Sequence, residues 1–148
     1  MDASFFNGSI TIRAALKKSD TPLDEPTLAM ITNAQATICS EKLSVISLKT
    51  LNLTDPGILC VVMPTANSTT CQALDGEWYC IVAIVVQGPV QLPYSAIDNA
   101  DRLAIGQALQ VKQSVGASVK LEKYSTPKQK LALIMNTNST LQTADIIL

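Results

Sequence analysis

The chain has 148 residues, a formal net charge of −1 and no histidine. This length predicts a single globular domain over residues 1–148, and the near-zero charge argues against binding of nucleic acid through a global field. Because histidine is the usual catalytic base and proton shuttle, its absence argues against triad and Cys-His enzymes, and we expect no enzyme.

The N-terminal segment carries an aromatic pair, Phe5 and Phe6. Exposed, this pair would anchor a partner or a membrane surface; buried, it would begin the first strand. An acid, Asp2, stands where a secretory signal would have basic residues. We therefore expect no signal peptide. The longest apolar run, Trp78–Val86, is far shorter than the ~20 residues that a transmembrane helix needs, so we expect no transmembrane segment and a cytoplasmic protein.

A strand and a helix are predicted at the start of the domain. Ser9–Ala14 alternates apolar and polar residues, as a half-buried strand does. The sequence Asp24-Glu25-Pro26 is a helix start signal, with acids at the positive end of the helix dipole and proline where its missing N–H is harmless. The predicted helical face that follows consists of Leu28, Ile31, Gln35 and Ile38.

The middle of the chain is predicted to be extended. Leu43–Leu53 alternates over part of its length, and Ile58–Met63 is a short apolar strand that ends at Pro64. Thr65–Gln72 is polar, which predicts a loop. Trp78–Val86 is a continuous run of β-branched and aromatic residues, so we expect a central strand with both faces covered.

A second helix is predicted to begin at Ser95, whose hydroxyl would cap it, with Asp98 three residues on. Its apolar face would be formed by Ile97, Ala100, Ala104, Ala108 and Val111. Two strands follow, Ala117–Tyr124 and Lys130–Met135. The chain then ends on an apolar segment, Ile146, Ile147 and Leu148, which would either pack onto the core or contact a partner.

Together these elements predict an α+β fold, a single layered domain with a mixed or mainly antiparallel sheet of about five to six strands and two helices. Both helices would cover one face of the sheet. The other face of Trp78–Val86 would then be closed by the C-terminal segment or by a second copy. Charged residues are only 16% of the chain, against about 25% in typical domains. We therefore expect a homo-oligomer, formed through Phe5, Phe6, Ile146, Ile147 and Leu148.

The four cysteines lack the C-x₂-C spacing of zinc sites and redox motifs. Cys60 and Cys80 lie in apolar runs and are interpreted as small core residues. The sequence leaves two oxidation states open for these cysteines together with Cys39 and Cys71. Either all four are reduced thiols in a reducing compartment, or a secreted product contains a Cys60–Cys71 or Cys71–Cys80 disulfide. No metal and no other cofactor is expected.

Lysines are concentrated in residues 111–130, where five lysines accompany one acid, Glu122. These lysines are Lys112, Lys120, Lys123, Lys128 and Lys130. They are interpreted either as a solvated face or as a patch that binds an anionic membrane surface or nucleoprotein. No sequence-specific binding of nucleic acid is expected, because the aromatic residues are too few and too dispersed for a base-stacking platform.

Other catalytic chemistry finds little support in the sequence. The acids at positions 20–25 and 98–101 flank predicted helix starts, where acids have a structural reason to occur. The glycine-rich loops that bind phosphate groups are absent. These observations favour a protein that works by interaction rather than by catalysis.

The element order runs from Phe5–Arg13 through the first predicted helix, Leu43–Leu53 and Trp78–Val86 to the capped second helix. This succession is similar to that of the matrix-protein core of rhabdoviruses, over most of the chain but without a specific motif. The resemblance implies a protein that polymerises beneath a viral envelope and bridges membrane and nucleocapsid, with the lysines after Val111 in the electrostatic role. It also implies a location in the host cytoplasm or the virion. We expect a non-enzymatic structural protein that self-associates. The alternative is a small adaptor or host-factor-binding protein that recognises one protein partner.

Overall fold

The computed structural model describes residues 8–51, 57–125 and 131–148, and these residues form eleven β-strands. Strands and isolated β-bridges make up 56% of the described residues. The strands are β1 (Ile10–Lys17), β2 (Thr27–Ile38), β3 (Glu41–Ser47), β4 (Ile58–Val62), β5 (Thr69–Gln72), β6 (Trp78–Gln87), β7 (Pro89–Pro93), β8 (Ala108–Val111), β9 (Leu121–Lys123), β10 (Ala132–Asn138) and β11 (Thr143–Ile147). The described segments contain no helix long and apolar enough to span a membrane.

The predicted α+β fold with two helices is wrong, because the structure is mostly β, with sheets of six and five strands. The first predicted helix is strand β2. Its side chains are buried on both faces, since Leu28 and Met30 pack in one core cluster and Ala29 packs in another. A strand buried on both faces has a nearly continuous apolar run, and the spacing of such a run also fits a helical face.

The second predicted helix is also wrong. The segment from Ser95 to Val111 contains 3₁₀ turns and strand β8 instead. Asn99 and Gly106 have φ angles of +55° and +87°, a left-handed backbone that the interior of an α-helix does not contain. Ile97 and Val111 are nevertheless buried, so the predicted apolar residues do contribute to the core.

The six-stranded sheet closes on itself. Its order is β1-β3-β2-β4-β6-β5, and β1 also pairs antiparallel with β6 along its whole length. The pairing of β1 with β3, at Ala15 and Val45, is parallel, whereas the other pairings are antiparallel. The space inside the closed sheet is filled by Ala14, Leu16, Ala29, Ile46, Cys60, Val62, Cys80, Val82 and Ile84.

Strand β6 is the centre of this sheet, as the sequence predicts. β1 lies on one side of it, and β4 and β5 share the other side. Successive side chains of a strand point to opposite faces. Val82 and Ile84 point into the closed sheet, whereas Tyr79 and Val85 point outward and are also buried. The prediction of a central strand is therefore confirmed.

The second sheet covers part of the outer face of the first. Its order is β7-β11-β10-β8-β9, and all of its pairings are antiparallel. Val85 and Leu28 from the first sheet pack in one cluster with Leu109, Ile134 and Ile146 from the second. The outer face of β6 is thus closed by the same chain, and an uncovered face no longer gives a reason for self-association.

The β2–β3 hairpin covers this outer face around Tyr79, whereas Ala83 on the same face stays exposed. Its residues Ile38 and Leu43 pack in a cluster with Ala15 of β1 and Tyr79 of β6. Cys39 and Ser40 connect the strands with φ angles of +50° and +65°, the backbone that a tight two-residue hairpin turn requires. The hairpin therefore folds back onto the sheet that it belongs to.

A disulfide fixes the hairpin at its tip. Cys39 bonds to Cys71 of β5, and the two Cα atoms are 6.1 Å apart. Both predicted states of the cysteines are wrong, because the chain is not fully reduced and the bond joins a different pair. Cys60 and Cys80 are buried free thiols, which confirms their interpretation as core residues.

Removal of the disulfide should destabilise the fold. The Cys39→Ser/Cys71→Ser variant is expected to lose about 3–4 kcal/mol of unfolding free energy, because the bond spans 32 positions and restricts the unfolded chain. Urea unfolding followed by the fluorescence of the single tryptophan, Trp78, measures this loss. Lys42→Ala, an exposed change in the same hairpin, should stay within about 0.5 kcal/mol. A loss below about 1 kcal/mol in the double variant would contradict the prediction.

The Cys60 thiol should be unreactive in the folded protein. Burial raises its pKa from 9.0 to about 12, and the thiolate is the reactive form. Since the unfolded thiol loses its proton first as pH rises, this group stabilises the fold fully below pH 9 and ceases to do so between pH 9 and about 12. An aromatic disulfide reagent near pH 8 should label no cysteine in the native protein and two, Cys60 and Cys80, in denaturant. Labelling of all four in denaturant without a reductant would contradict the pairing.

Candidate interaction surface

Strand β5 is an open edge of the first sheet. It is last in the sheet order and, among the described residues, pairs only with β6. The N–H of Ala73 donates to the carbonyl oxygen of Glu77 at 2.8 Å, and hydrogen-bonded pairs recur at every second residue of an antiparallel ladder. The N–H and C=O groups of Thr70 and Gln72 therefore point away from β6. No backbone group in the described part of the chain bonds them there.

The turn between β5 and β6 carries apolar side chains into solvent. Leu74 is 95% exposed and Trp78 is 48% exposed. The Asp75 carboxylate accepts the N–H of Glu77 at 2.9 Å, which holds the turn in shape. The Lys18 ammonium lies 5.5 Å from the centre of the Trp78 ring, within the range of a cation–π contact. The turn between β5 and β6 thus forms an apolar protrusion, and the nearby polar contacts hold its shape.

An open cleft of about 510 Å³ lies beside the start of β5. Apolar residues, among them Pro64, Ala66 and Ile81, line it together with the polar segment Asn67–Thr69, and Arg13 is the one charged residue among the described residues that line it. Arg13 contacts Glu41 at 3.0 Å, and the two side chains are 59% and 39% exposed, so this ion pair near the surface contributes little. The cleft is therefore largely uncharged and accessible.

The disulfide holds this surface in place. Cys71 lies in the middle of β5, opposite the buried Tyr79 of β6, and its bond to Cys39 ties β5 to the β2–β3 hairpin. A four-residue edge strand would otherwise open easily. Because the strand is already ordered, a partner that pairs with it meets a smaller entropy cost.

The predicted lysine patch is broken by carboxylates. Lys120 and Lys123 are exposed near the two ends of β9. Lys112 instead donates to Asp98 at 2.7 Å, and this hydrogen bond and the charge of Asp98 raise the pKa of Lys112. The remaining predicted residues lie outside the described residues: Lys128, Lys130, Phe5 and Phe6.

A polar cleft of about 380 Å³ adjoins these lysines and brings Asp98, Glu122 and Arg102 together. Asp98 is bonded by Lys112, and Glu122 accepts a hydrogen bond from Gln110 at 2.8 Å. Because both carboxylates already have a side-chain partner, we assign no general acid–base pair here. The described residues include no cluster of three histidine, cysteine or acidic side chains that could hold a metal ion.

The apolar C-terminus packs onto the core, which is the first of its two predicted alternatives. Ile146 is fully buried, whereas Ile147 and Leu148 are half-buried. The backbone of Leu148 exchanges two hydrogen bonds with Gly88, at 3.0 and 3.2 Å. Only part of this segment therefore remains accessible for the predicted self-association.

Comparison with known proteins returns nothing: no family model matches the chain, no curated protein matches it, and no solved structure matches it. A functional assignment therefore depends on the geometry of the surface.

Sequence reasoning missed the β5 edge, because the polar composition of Thr65–Gln72 predicts a loop. Two signals in the sequence do point to a hairpin. Thr69 and Thr70 are β-branched, which is typical of strands, and Asp75-Gly76 is a turn pair directly before Trp78. Taken together, they predict that a short strand turns back to pair with β6.

Proposed function

We propose that this chain is a non-enzymatic interaction protein that associates with itself through the β5–β6 hairpin. The observation that carries the proposal is Leu74, a leucine 95% exposed at the end of an open strand edge. An edge with free N–H and C=O groups pairs readily with another strand. Burial of an exposed leucine in an interface lowers the free energy of the complex. One hairpin thus offers both directional bonding and apolar contact.

The composition of β5 supports this role. Proteins commonly protect an edge strand from pairing with charged residues, proline or a covering segment. The residues of β5, Thr69–Gln72, include no charge and no proline. The charges nearby are balanced, since Lys17 approaches Glu77 at 3.9 Å. A second copy would therefore meet little electrostatic repulsion at this edge.

The proposal does not include the matrix-protein role. That resemblance in element order depends on two helices, and the structure has strands and 3₁₀ turns in their place. Binding of an anionic membrane surface or nucleoprotein by Lys120 and Lys123 stays a prediction, as does a cytoplasmic or virion location. An adaptor role is the alternative, because the same open edge would accept a strand from a different protein.

Sedimentation velocity over a range of concentrations tests self-association. The mass should rise above that of the 15.8 kDa monomer as concentration increases, with little dependence on salt. Leu74→Ser should raise the dissociation constant at least about tenfold, because burial of a leucine is worth about 1.5–3 kcal/mol.

Leu141→Ser is the matched control, since Leu141 is also exposed, at 67%, but lies between β10 and β11. It should leave the dissociation constant unchanged. Wild-type protein that remains monomeric from micromolar to millimolar concentration would contradict the proposed function.

A further inference from the structure

We infer that two copies pair through their β5 strands around a two-fold axis at Cys71, and that Leu74 of each copy enters the cleft beside β5 of the other. This inference rests on the proposed self-association and specifies its geometry. It draws on three features: the outward groups of β5, the exposed leucine and the open cleft. A two-fold axis makes the same patch meet itself, so every contact occurs twice.

The direction of the free backbone groups selects the register. Only Thr70 and Gln72 of β5 point their N–H and C=O groups outward, as the ladder with β6 requires. In an antiparallel pair of β5 strands, both outward residues find outward partners within β5 only when Thr70 of one copy lies opposite Gln72 of the other. This register centres on Cys71 and forms four hydrogen bonds. Both side chains are uncharged, so no like charges face each other.

The same register places the exposed leucine beside the cleft. Leu74 lies three residues after Cys71, in the turn that follows β5, and Ser68 lies three residues before Cys71. This register therefore brings the turn of one copy next to Ser68 of the other. Ser68 lines the cleft of about 510 Å³ together with Pro64, Ala66 and Ile81. A leucine that is 95% exposed in one copy thereby reaches a largely uncharged recess in the other.

The charges around this contact are complementary. Asp75 follows Leu74 at the tip, and Arg13 is the charged residue of the cleft. The present partner of Arg13, Glu41, is partly exposed, so Arg13 can approach a second carboxylate without leaving a fully buried charge unpaired. A four-residue edge is much smaller than a standard interface of about 1,600 Å². The expected product is a weak dimer that forms in the micromolar-to-millimolar range.

A proline at Gln72 tests the strand pairing. Gln72→Pro removes an outward N–H, while the bonds between β5 and β6 do not use that group. Gln72→Ala is the matched control, because it loses only the side-chain hydrogen bond to the carbonyl oxygen of Gly76 at 3.0 Å. The dissociation constant should rise at least about tenfold in Gln72→Pro and stay within about twofold of wild type in Gln72→Ala.

Hydrogen exchange of the wild-type protein supplies a second measurement that does not depend on how the variant folds. The amides of Thr70 and Gln72 should exchange more slowly as concentration rises, whereas that of Ile105, which is exposed elsewhere, should not change. Association without this protection, or unchanged association of a folded Gln72→Pro variant, would overturn the inference and leave self-association intact. A monomer at all concentrations would instead overturn the proposed function as well.

Discussion

The fold depends on the burial of both faces of β6. A strand as apolar as Trp78–Gln87 is stable only if both of its faces are shielded from water. The inner face is shielded because the sheet closes through the pairing of β1 with β6. The outer face needs two different covers, the second sheet over Val85 and the β2–β3 hairpin over Tyr79. β1, the second sheet and the β2–β3 hairpin thus each shield one part of β6 from water.

The candidate surface follows from the same constraint. β4 pairs with β6 only near Ile84 and Val85, so the first half of β6 needs another neighbour on that side. β5 fills this place, and no other strand in the described part of the chain pairs with its outer edge. The disulfide between Cys71 and Cys39 joins this edge strand to the β2–β3 hairpin. The open edge is therefore a direct consequence of how β6 is buried, and it is the edge through which we propose that a second copy pairs.

Local patterns in the sequence predict some elements and miss others for identifiable reasons. Ile58–Met63 and Trp78–Val86 match β4 and β6 closely, because apolar β-branched runs bounded by turns have few other conformations. β2 is missed because burial on two faces removes the alternation that marks a strand. The disulfide and the β5 edge depend on which strands meet, and no local pattern encodes the pairing of Cys39 with Cys71 across 32 positions.

Native-state hydrogen exchange tests the central position of β6 most directly. The backbone of β6 is paired on both sides, and Tyr79, Val82, Ile84 and Val85 bury side chains on both of its faces. The amides of this buried part should therefore exchange only when the whole molecule unfolds. We predict that their exchange free energies equal the global unfolding free energy measured in urea. If the amides of Val82, Ile84 and Val85 exchanged through local opening, at free energies clearly below the global value, β6 would not be the element on which the fold depends.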